Sequence, residues 1–362
     1  MSNNKPPFMG ELTSLSSLCS KGKSSLRQKD LNDAGSYPVY GASGIVGYLE
    51  VYQNDREYIA VVKDGAGVGR TIKCKGKSSV LGTMQALLPR EGVECDYLLH
   101  LVRALNLGSS FNGSTIPHIY FKDYGKLPVP SFSPEQQRDI SRRFEEVESL
   151  IDLENRTLEC LNHLIKSQFV EMFGSSSFPE VQMGRLINAI TAGTNVGGQQ
   201  RPLGEDEYAV LKISAVTKGV FLPDEYKVVS DVSSIKMIHP RKGDLLFSRA
   251  NTSEMVGSTA IVDRDYDNLF LPDKLWRLDP AEDVDTVFLK ELLSTRQVRR
   301  EMSKVATGSS GSMQNISMAK FKKLSAFLPP YDLQQQFATF VAKVDKSRFV
   351  ARKSTELIIK NT

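Results

Sequence analysis

Three glycines at positions 65, 67 and 69 lie within a basic stretch, KDGAGVGRTIKCKGK, that spans residues 63–77. A glycine-rich loop can bind phosphate groups through its backbone N–H groups, provided that a helix follows and points its N-terminus at the anion. Residues 71–75 have instead the pattern of a β-strand. We therefore predict that the glycines form the tip of a β-hairpin, where positive φ angles are needed, and that this stretch binds no nucleotide.

Two other stretches contain parts of catalytic motifs but lack an essential group. Residues 328–331, LPPY, resemble the Asn/Asp-Pro-Pro-Tyr motif of amino-methyltransferases, but Leu328 has no oxygen that could hold a target amine. Asp224, Glu225 and Lys227 have the residue types of a nuclease site, but they are too close in sequence to converge on one metal ion. No Gly-x-Ser-x-Gly motif and no Cys/His pair is present. The chain therefore carries no visible catalytic constellation.

Composition excludes several further classes of protein. The chain has 362 residues, of which 40% are hydrophobic and 24% charged, and this length suffices for two domains with separate cores. It contains no apolar run of the roughly 20 residues that a membrane span needs, and its start, MSNNKPPFMG, lacks the pattern of a signal peptide. The four cysteines and four histidines are widely scattered. Neither a disulfide framework nor a metal site is expected, and a cytoplasmic location is predicted.

Positive charge is concentrated in segments that have the composition of loops. The formal net charge is only +4, but basic residues cluster at residues 21–29 and 63–77 among glycines and serines. Repeated basic clusters in such segments favour a polyanionic partner.

The second half of the chain repeats features of the first half in the same order. The matched segments are residues 9–12 with 183–186, 37–39 with 208–210, 68–69 with 256–257, 96–99 with 286–289, 113–116 with 311–316, and 127–137 with 327–336. In the downstream copy of the glycine-rich stretch only Gly257 remains, as the counterpart of Gly69. Each match is weak alone, but their common order indicates an internal duplication with pseudo-two-fold symmetry.

A long helix is predicted to end each half. Mainly apolar residues recur with 4,3,4,3 spacing from Ile140 and again from Phe337, 197 residues later, which is the pattern of a coiled-coil seam. Ser133 is predicted to cap the first helix, with Pro134 at its first position. The predicted fold class is α+β, with two similar mixed α/β domains (residues 1–132 and 178–331) joined by an antiparallel two-helix coiled coil (residues 133–173 and 332–362).

The two seams could pack on their own domains, but an antiparallel pairing with each other is favoured. Pairing Phe337 with Ile165 places Arg348 against Glu154, so that a polar interruption of one seam meets that of the other. Such a layer would fix the register of the coil. The first helix is net acidic and the second is net basic, which favours the same pairing.

This organisation resembles the specificity subunit of type I restriction–modification enzymes. The resemblance covers residues 8–362 and rests on two divergent half-length domains, each followed by a coiled-coil helix. Its further features are the proline-then-glutamine segments that lead into the helices, from Pro130 to Gln136 and from Pro329 to Gln335, the Gly-Ser segments before an isoleucine, and the segment GDLLFSR at residues 243–249.

The resemblance implies a DNA-reading subunit without catalytic activity. Each globular half would be a target recognition domain for one half of a bipartite, asymmetric DNA site, and the two helices would set the distance between the halves. Two methyltransferase subunits and, in a restriction complex, two restriction subunits are the implied protein partners. No cofactor is expected in this chain, because S-adenosylmethionine, and ATP with magnesium, would be bound by those partners. The implied location is the cytoplasm of a bacterium or archaeon.

Polar and basic residues of the predicted loops are the candidate DNA contacts, because donors and acceptors must reach base edges while cations reach phosphates. In the first half the candidates are Tyr40, Ser43, Lys63, Arg70, Lys73, Lys75, Lys77, Thr115 and His118. In the second half they are Lys212, Lys218, Arg249, Asn251, Thr252, Ser253, Lys274, Ser309, Ser310 and Gln314. Glu154 and Arg348 are the candidates for the layer that sets the coil register. No catalytic or metal-binding residue is predicted.

Two other functions stay open at this point. A standalone DNA-modifying enzyme would have to bind S-adenosylmethionine by itself, and the incomplete motif at residues 328–331 argues against it. A coiled-coil interaction scaffold that only binds copies of itself would show no salt-dependent binding to duplex DNA. Phosphate contacts, in contrast, weaken steeply as salt rises.

Overall fold

The computed structural model describes residues 11–23, 25–32, 35–65, 67–109, 117–174, 178–308 and 313–361, with side chains up to residue 350 and that of Lys353. The chain divides into two compact units, unit 1 at residues 1–153 with 355–362 and unit 2 at residues 154–354. The long helix that begins at Pro134 continues past residue 153, so each unit contains part of it.

Unit 1 contains nine described strands and the start of the long helix. The strands are β1 (Glu11–Ser14), β2 (Cys19–Lys21), β3 (Tyr37–Gly41), β4 (Gly44–Leu49), β5 (Tyr58–Val62), β6 (Thr71–Cys74), β7 (Ser79–Val80), β8 (Met84–Pro89) and β9 (Pro128–Ser131). The helices are α1 (Leu15–Leu18), α2 (Cys95–Ala104), α3 (Phe121–Tyr124) and α4 (Pro134–Phe173). A four-stranded sheet has the order β2-β8-β5-β6, a three-stranded sheet has the order β4-β3-β7, and β1 pairs with β9. Strands β3 and β7 are parallel, whereas β3 and β4 are antiparallel.

Unit 2 repeats the three sheets of unit 1 and has one further pair of short strands. Its strands are β10 (Glu180–Gln182), β11 (Ile187–Ala192), β12 (Tyr208–Leu211), β13 (Tyr226–Val229), β14 (Leu245–Ser248), β15 (Ala250–Asn251), β16 (Thr259–Ile261), β17 (Leu269–Phe270), β18 (Leu275–Pro280), β19 (Gln314–Asn315) and β20 (Ser325–Phe327). Its helices are α5 (Thr286–Ser294), α6 (Arg296–Val305), α7 (Met318–Lys322) and α8 (Tyr331–Asn361), of which the part from residue 355 onward belongs to unit 1. The orders β11-β18-β14-β16 and β13-β12-β17 and the pair β10-β20 reproduce the topology of unit 1, including one parallel pair, β12 with β17. The α+β fold class and the duplication are confirmed.

One central strand of each four-stranded sheet, β5 in unit 1 and β14 in unit 2, is buried along its whole length because both of its faces are covered. In β5, Ile59 and Val61 pack in the cluster that contains α2, whereas Tyr58 and Ala60 pack in a second cluster that contains residues of β3 and β7. In β14, Phe247 lies in the cluster that contains α5, and Leu246 lies in one that contains residues of β12 and β17. A strand buried on both faces holds the loops at its end in a fixed position.

The first helix begins as predicted. The Ser133 hydroxyl accepts a hydrogen bond from the backbone N–H of Gln136 at 3.3 Å, and the Gln136 side chain accepts one from the backbone N–H of Ser133 at 3.0 Å. This reciprocal capping box satisfies two N–H groups that the helix leaves unpaired. The predicted cap at Ser133 and the helix start at Pro134 are confirmed.

Two of the sequence matches between the halves are wrong in detail. The counterpart of Met183 is Leu15, because their backbone N–H groups donate to equivalent carbonyls, those of Leu324 at 2.8 Å and Leu127 at 3.1 Å. The match of residues 9–12 with 183–186 followed a similar letter pattern, although Leu12 is 75% exposed while its matched residue Leu186 is buried.

The counterpart of Ile316 is Ile119 instead of Ile116. The backbone N–H of Ile119 donates to the carbonyl of Lys63 at 3.0 Å, and that of Ile316 donates to the carbonyl of Arg249 at 2.9 Å. Both isoleucines are buried.

Within unit 2, helices α4 and α8 pair antiparallel, but not in the predicted register. The ring of Phe337 lies 5.3 Å from Phe169 and 5.6 Å from Phe173, one to two turns beyond its predicted partner Ile165. These three rings, together with Phe288 of α5, form an aromatic cluster whose burial outweighs one polar layer.

The predicted contact of Arg348 with Glu154 is therefore a wrong assignment. Arg348 donates instead to the side chains of Asn162 on α4 and, at 2.7 Å, of Asp345 on its own helix. Asn162 lies two turns along α4 from Glu154, which is the same displacement as that of Phe173 from Ile165.

Candidate nucleic-acid interface

The glycine-rich stretch of unit 1 is a β-hairpin between β5 and β6. These strands are antiparallel, with Tyr58 opposite Cys74 and Val61 opposite Thr71. Gly69 has a φ of +84°, and its backbone N–H donates to the carbonyl of Val62 at 2.8 Å. A strand follows the glycines and no helix does, so the prediction of a hairpin tip is confirmed.

Unit 2 contains a hairpin with the same backbone design between β14 and β16. Gly257 has a φ of +82°, and its N–H donates to the carbonyl of Ser248 at 2.8 Å. The N–H of Ser248 in turn donates to the carbonyl of Ser258 at 2.8 Å, as that of Val62 does to the carbonyl of Arg70 in unit 1. Gly69 and Gly257 therefore close equivalent hairpins.

Two neighbouring segments join each hairpin at the end of its first strand. In unit 1 the backbone of Lys63 bonds to Ile119 and, through its N–H, to the carbonyl of Thr83 at 3.0 Å. In unit 2 the N–H of Arg249 donates to the carbonyl of Lys274 at 3.1 Å. Lys63 and Arg249 are thus equivalent, and Lys274 is the counterpart of Thr83.

Four predicted contacts of unit 1 lie in and around this hairpin end. Arg70 is exposed and donates to the carbonyl of Ala42 at 3.2 Å, which joins the hairpin to the β3–β4 turn where Ser43 is exposed. His118 lies against the hairpin, with its Nδ1 atom 2.7 Å from Asp64 Oδ1. Lys63 is half-buried at the end of β5. The structure therefore brings together Ser43, Lys63, Arg70 and His118.

The remaining lysines of the stretch lie elsewhere. Lys73 forms ion pairs with Asp96 at 2.8 Å and Glu57 at 3.1 Å. Burial lowers the pKa of Lys73, but hydrogen bonds to these two carboxylates outweigh it and raise that pKa overall. Lys75 and Lys77 are exposed in the loop after β6, at the opposite end of this strand from the hairpin tip.

Tyr40 supports this second loop. It is only 8% exposed, and its hydroxyl accepts the backbone N–H of Lys75 at 3.4 Å. Its ring packs in the cluster between the sheets. Tyr40 therefore holds the Lys75 loop from inside, and little of its side chain is exposed.

In unit 2 two of the predicted cations are bound to carboxylates of the chain itself. The Arg249 guanidinium donates to the carbonyl of Asp273 at 2.8 Å and to its carboxylate at 2.9 Å. Lys212 pairs with Glu225 at 2.8 Å, and the hydrogen bond from Lys212 lowers the pKa of that carboxyl group. Lys218, in contrast, is exposed.

The tip of the second hairpin presents polar groups. Thr252 and Ser253 are exposed, and Asn251 accepts the backbone N–H of Thr252 at 2.9 Å. Asn251 is 8% exposed, and its amide nitrogen Nδ2 has no hydrogen-bond partner in the described part of the chain. Gln314 lies opposite Asn251 in the β15–β19 pair and is half-buried.

Three predicted contacts, Thr115, Ser309 and Ser310, lie outside the described residues. Sequence reasoning missed Tyr120, which is 47% exposed and whose ring stacks on that of His118 at 6.4 Å. An aromatic residue two positions after a loop histidine was the available signal, since bases stack on such rings.

The described residues show neither a metal site nor a membrane span. No group of three or more His, Cys, Asp and Glu side chains among them could hold a metal ion. None of the helices in the described ranges combines the length and the apolar character that a bilayer crossing needs.

Comparison with known proteins adds independent information. Residues 9–163 match the family described as type I restriction modification DNA specificity domain. Over 379 aligned positions the chain is 23% identical to the type I restriction enzyme MjaVIII specificity subunit of Methanocaldococcus jannaschii, and the alignment covers 94% of this chain and 86% of that subunit. It is also 24% identical to the type I restriction enzyme EcoEI specificity subunit of Escherichia coli over 188 positions, which cover 49% of this chain and 31% of that one.

A solved structure has the same fold. The S subunit of a type I restriction–modification system from M. genitalium superimposes with a TM-score of 0.53 and 15% sequence identity, and the match covers 99% of this chain and 95% of that chain.

Proposed function

We propose that units 1 and 2 each read one half of a bipartite DNA sequence. The chain belongs to the specificity subunits of type I restriction–modification systems. The hairpin end of each unit would meet the bases, and exposed cations of the same unit would meet the phosphates. The two half-sites would differ in sequence, so the whole site would be asymmetric.

One observation supports this proposal above the others. The two hairpins share their backbone hydrogen bonds and their positive-φ glycines, Gly69 and Gly257. Their side chains differ, with Lys63 and Asp64 in one and Arg249 and Ala250 in the other. A shared frame with different donors and acceptors is what reading two different base sequences requires.

The candidate contacts fall into two groups on this proposal. Ser43, Arg70 and His118 in unit 1, with Thr252 and Ser253 in unit 2, are proposed as base-reading groups, because they lie at the hairpin ends. The exposed lysines are proposed as phosphate contacts, and these are Lys75, Lys77 and Lys218. Lys73, Lys212 and Arg249 are proposed to position loops, since each is already paired with a carboxylate.

Catalysis is assigned to partner subunits. We infer that methyltransferase subunits bind S-adenosylmethionine and transfer the methyl group, and that this chain supplies the DNA sequence preference. Restriction subunits with ATP and magnesium would complete a cleaving complex. Helices α4 and α8 are proposed as the docking surface and as the spacer between half-sites.

The test compares the isolated chain with its complex. We expect the isolated chain to bind duplex DNA weakly and to bind no S-adenosylmethionine, and we expect sequence-specific binding once the methyltransferase partner is added. Fluorescence anisotropy at several salt concentrations measures the DNA binding, and calorimetry measures the cofactor binding. Equal affinity and specificity with and without the partner, or tight cofactor binding by the isolated chain, would contradict the proposal.

A further inference from the structure

A buried glutamine ties the globular part of unit 1 to the first turn of its helix. Gln137 is 2% exposed. Its carbonyl oxygen accepts the backbone N–H of Glu94, at the start of α2, at 2.8 Å. Its amide nitrogen donates to the carbonyls of Gly92 at 3.2 Å and of Phe132 at 2.7 Å. One side chain thus connects α4, the turn before α2 and the residue after β9.

Unit 2 repeats this arrangement bond for bond. Gln334 is fully buried. Its oxygen accepts the backbone N–H of Asp285 at 2.9 Å, and its nitrogen donates to the carbonyls of Asp283 at 3.1 Å and Pro329 at 2.9 Å. Asp285 and Glu94 precede the first residues of α5 and α2, so the bonded positions are equivalent.

The same geometry in two units with divergent sequences indicates a requirement beyond filling space. An apolar side chain of similar volume could fill either site, whereas a buried amide must be fully bonded or it destabilises the fold. The three bonds fix the angle between the helix and the sheet at a joint of only two residues, Phe132 and Ser133, between β9 and α4.

We propose that Gln137 and Gln334 are positioning residues that set the angle at which each recognition unit leaves its helix, and thereby the gap between half-sites that the complex accepts. This inference rests on the proposed function, in which the helices act as the spacer. Loosening either joint would let the unit reach bases one pair nearer or farther, while the base-reading loops stay unchanged.

The experiment measures methylation by the complete complex on duplexes whose gap is native, one base pair shorter or one base pair longer. The variants are Gln137→Met and Gln334→Met, which keep the volume and remove all three bonds. Gln335→Met is the matched control, because Gln335 is the exposed neighbour of Gln334 on the same turn. Duplexes with one altered base in either half-site measure base reading separately.

We expect the preference for the native gap to fall by about tenfold in each glutamine variant. This size corresponds to the net free energy of roughly one buried hydrogen bond of the three that the variant removes. Discrimination against altered half-site bases should not change, and the control variant should match the original chain in both assays. Unchanged gap preference in a folded variant, or a parallel loss of base discrimination, would overturn the inference.

Two further readouts keep the outcomes distinct. If a methionine variant does not fold, Gln137→Glu replaces it, because glutamate keeps the acceptor for the Glu94 N–H and, even when burial protonates it, can keep only one of the two donor bonds. Gap preference that stays unchanged in this variant overturns the inference as well. If the complex that contains the original chain methylates the duplexes with all three gaps equally, the bipartite function fails instead of the glutamine assignment.

Discussion

The β5–β6 hairpin of unit 1 and the β14–β16 hairpin of unit 2 share the same backbone hydrogen bonds but pack against different neighbouring segments. Gly69 lies against the backbone of Gly108, where an added Cβ atom would be 2.2 Å from a backbone nitrogen. Gly257 lies against helix α6, where the nearest atom would be the flexible Met302 sulfur at 2.4 Å. The duplicated frame therefore kept its strand-end geometry while the segments around it diverged.

The comparison distinguishes two kinds of position in the hairpins. Some positions form the shared backbone frame, such as Gly69 and Gly257, and the others differ between the two units. The frame uses backbone groups and glycines, which carry no base-specific information. The variable positions carry the side chains, for example the exposed Arg70 in unit 1 where unit 2 has the buried Ser258. Substitutions in the frame should therefore affect folding, and substitutions at the variable positions should affect DNA reading in one half-site.

The largest expected effect comes from an alanine at Gly69. A positive φ costs an L-residue about 1–2 kcal/mol, and the backbone of Gly108 cannot move away cheaply. We expect Gly69→Ala to lower the free energy of unfolding by about 3 kcal/mol or more, and Gly257→Ala by about 2 kcal/mol, because the Met302 side chain can shift. Urea unfolding followed by circular dichroism measures both.

Gly219 provides the control for this pair. Its φ is +74° and an added Cβ atom would meet nothing within 4 Å. Gly219→Ala should therefore cost only the backbone term of about 1–2 kcal/mol, less than Gly69→Ala. An equal loss for all three variants would show that the contacts of the two hairpins do not matter.

The next effect concerns equivalent positions in the last turn of α3 and of α7. Tyr124 and Phe321 correspond, because the carbonyl of each accepts a backbone N–H at 3.1 Å, from Leu127 and Leu324 respectively. Tyr124 has a buried hydroxyl without a hydrogen-bond partner in the described residues, whereas Phe321 packs 4.7 Å from the ring of Phe247.

Exchanging the two residue types should change the free energy of unfolding in opposite directions at the two positions. Phe321→Tyr should lower the unfolding free energy by about 1–3 kcal/mol, since it buries an unpaired hydroxyl, and Tyr124→Phe should leave it unchanged or raise it by about 1 kcal/mol. Thermal unfolding checks the order. Destabilisation by Tyr124→Phe would mean that this hydroxyl has a partner.

A smaller effect, restricted to one half-site, is expected from Arg70→Ala. Loss of this exposed side chain should cost about 1–3 kcal/mol of discrimination at bases that unit 1 reads and nothing at those of unit 2. Competition binding by the complex with single-base variants of each half-site measures this. Ser258→Ala is the matched change in unit 2, and a similar loss there would argue against the assignment.

The smallest effect is expected from the exposed lysines. Lys75→Ala and Lys77→Ala should each weaken binding to all sequences alike and reduce the slope of log K against log salt by about 1. Lys73→Ala should leave that slope unchanged, because Lys73 is paired with Asp96 and Glu57. A reduced slope for Lys73→Ala, or none for the other two, would contradict the division into phosphate contacts and structural ion pairs.

The duplication, the hairpins and the start of α4 could be predicted because each leaves a local mark. Gly69 and Gly257 follow strand-like runs, and Ser133 with Pro134 is a helix start that depends only on neighbouring residues. The repeat of the helical seam at a distance of 197 residues also holds in space, since it relates Gln137 to Gln334.

What the sequence could not show depends on distant residues. The 4,3 spacing is compatible with more than one register of the two seams. The aromatic packing of Phe337 determines the register in the structure, and the predicted pairing of Glu154 with Arg348 is therefore wrong. Asp96 and Asp273 are 23 and 24 residues away from the cations that they bind, which no local pattern reveals. The sequence also does not distinguish a buried glutamine such as Gln334 from an exposed one such as Gln335.

The central claim is that each unit reads its own half-site, and the most direct test maps methylated sites in cells. The chain is expressed with its methyltransferase partner, and single-molecule sequencing records the methylated motif before and after residues 1–132 are replaced by the corresponding region of a relative. We predict a bipartite motif with two different halves separated by a non-specific gap, of which the replacement changes one half only. A continuous or symmetric motif, or a change in both halves, would contradict the account.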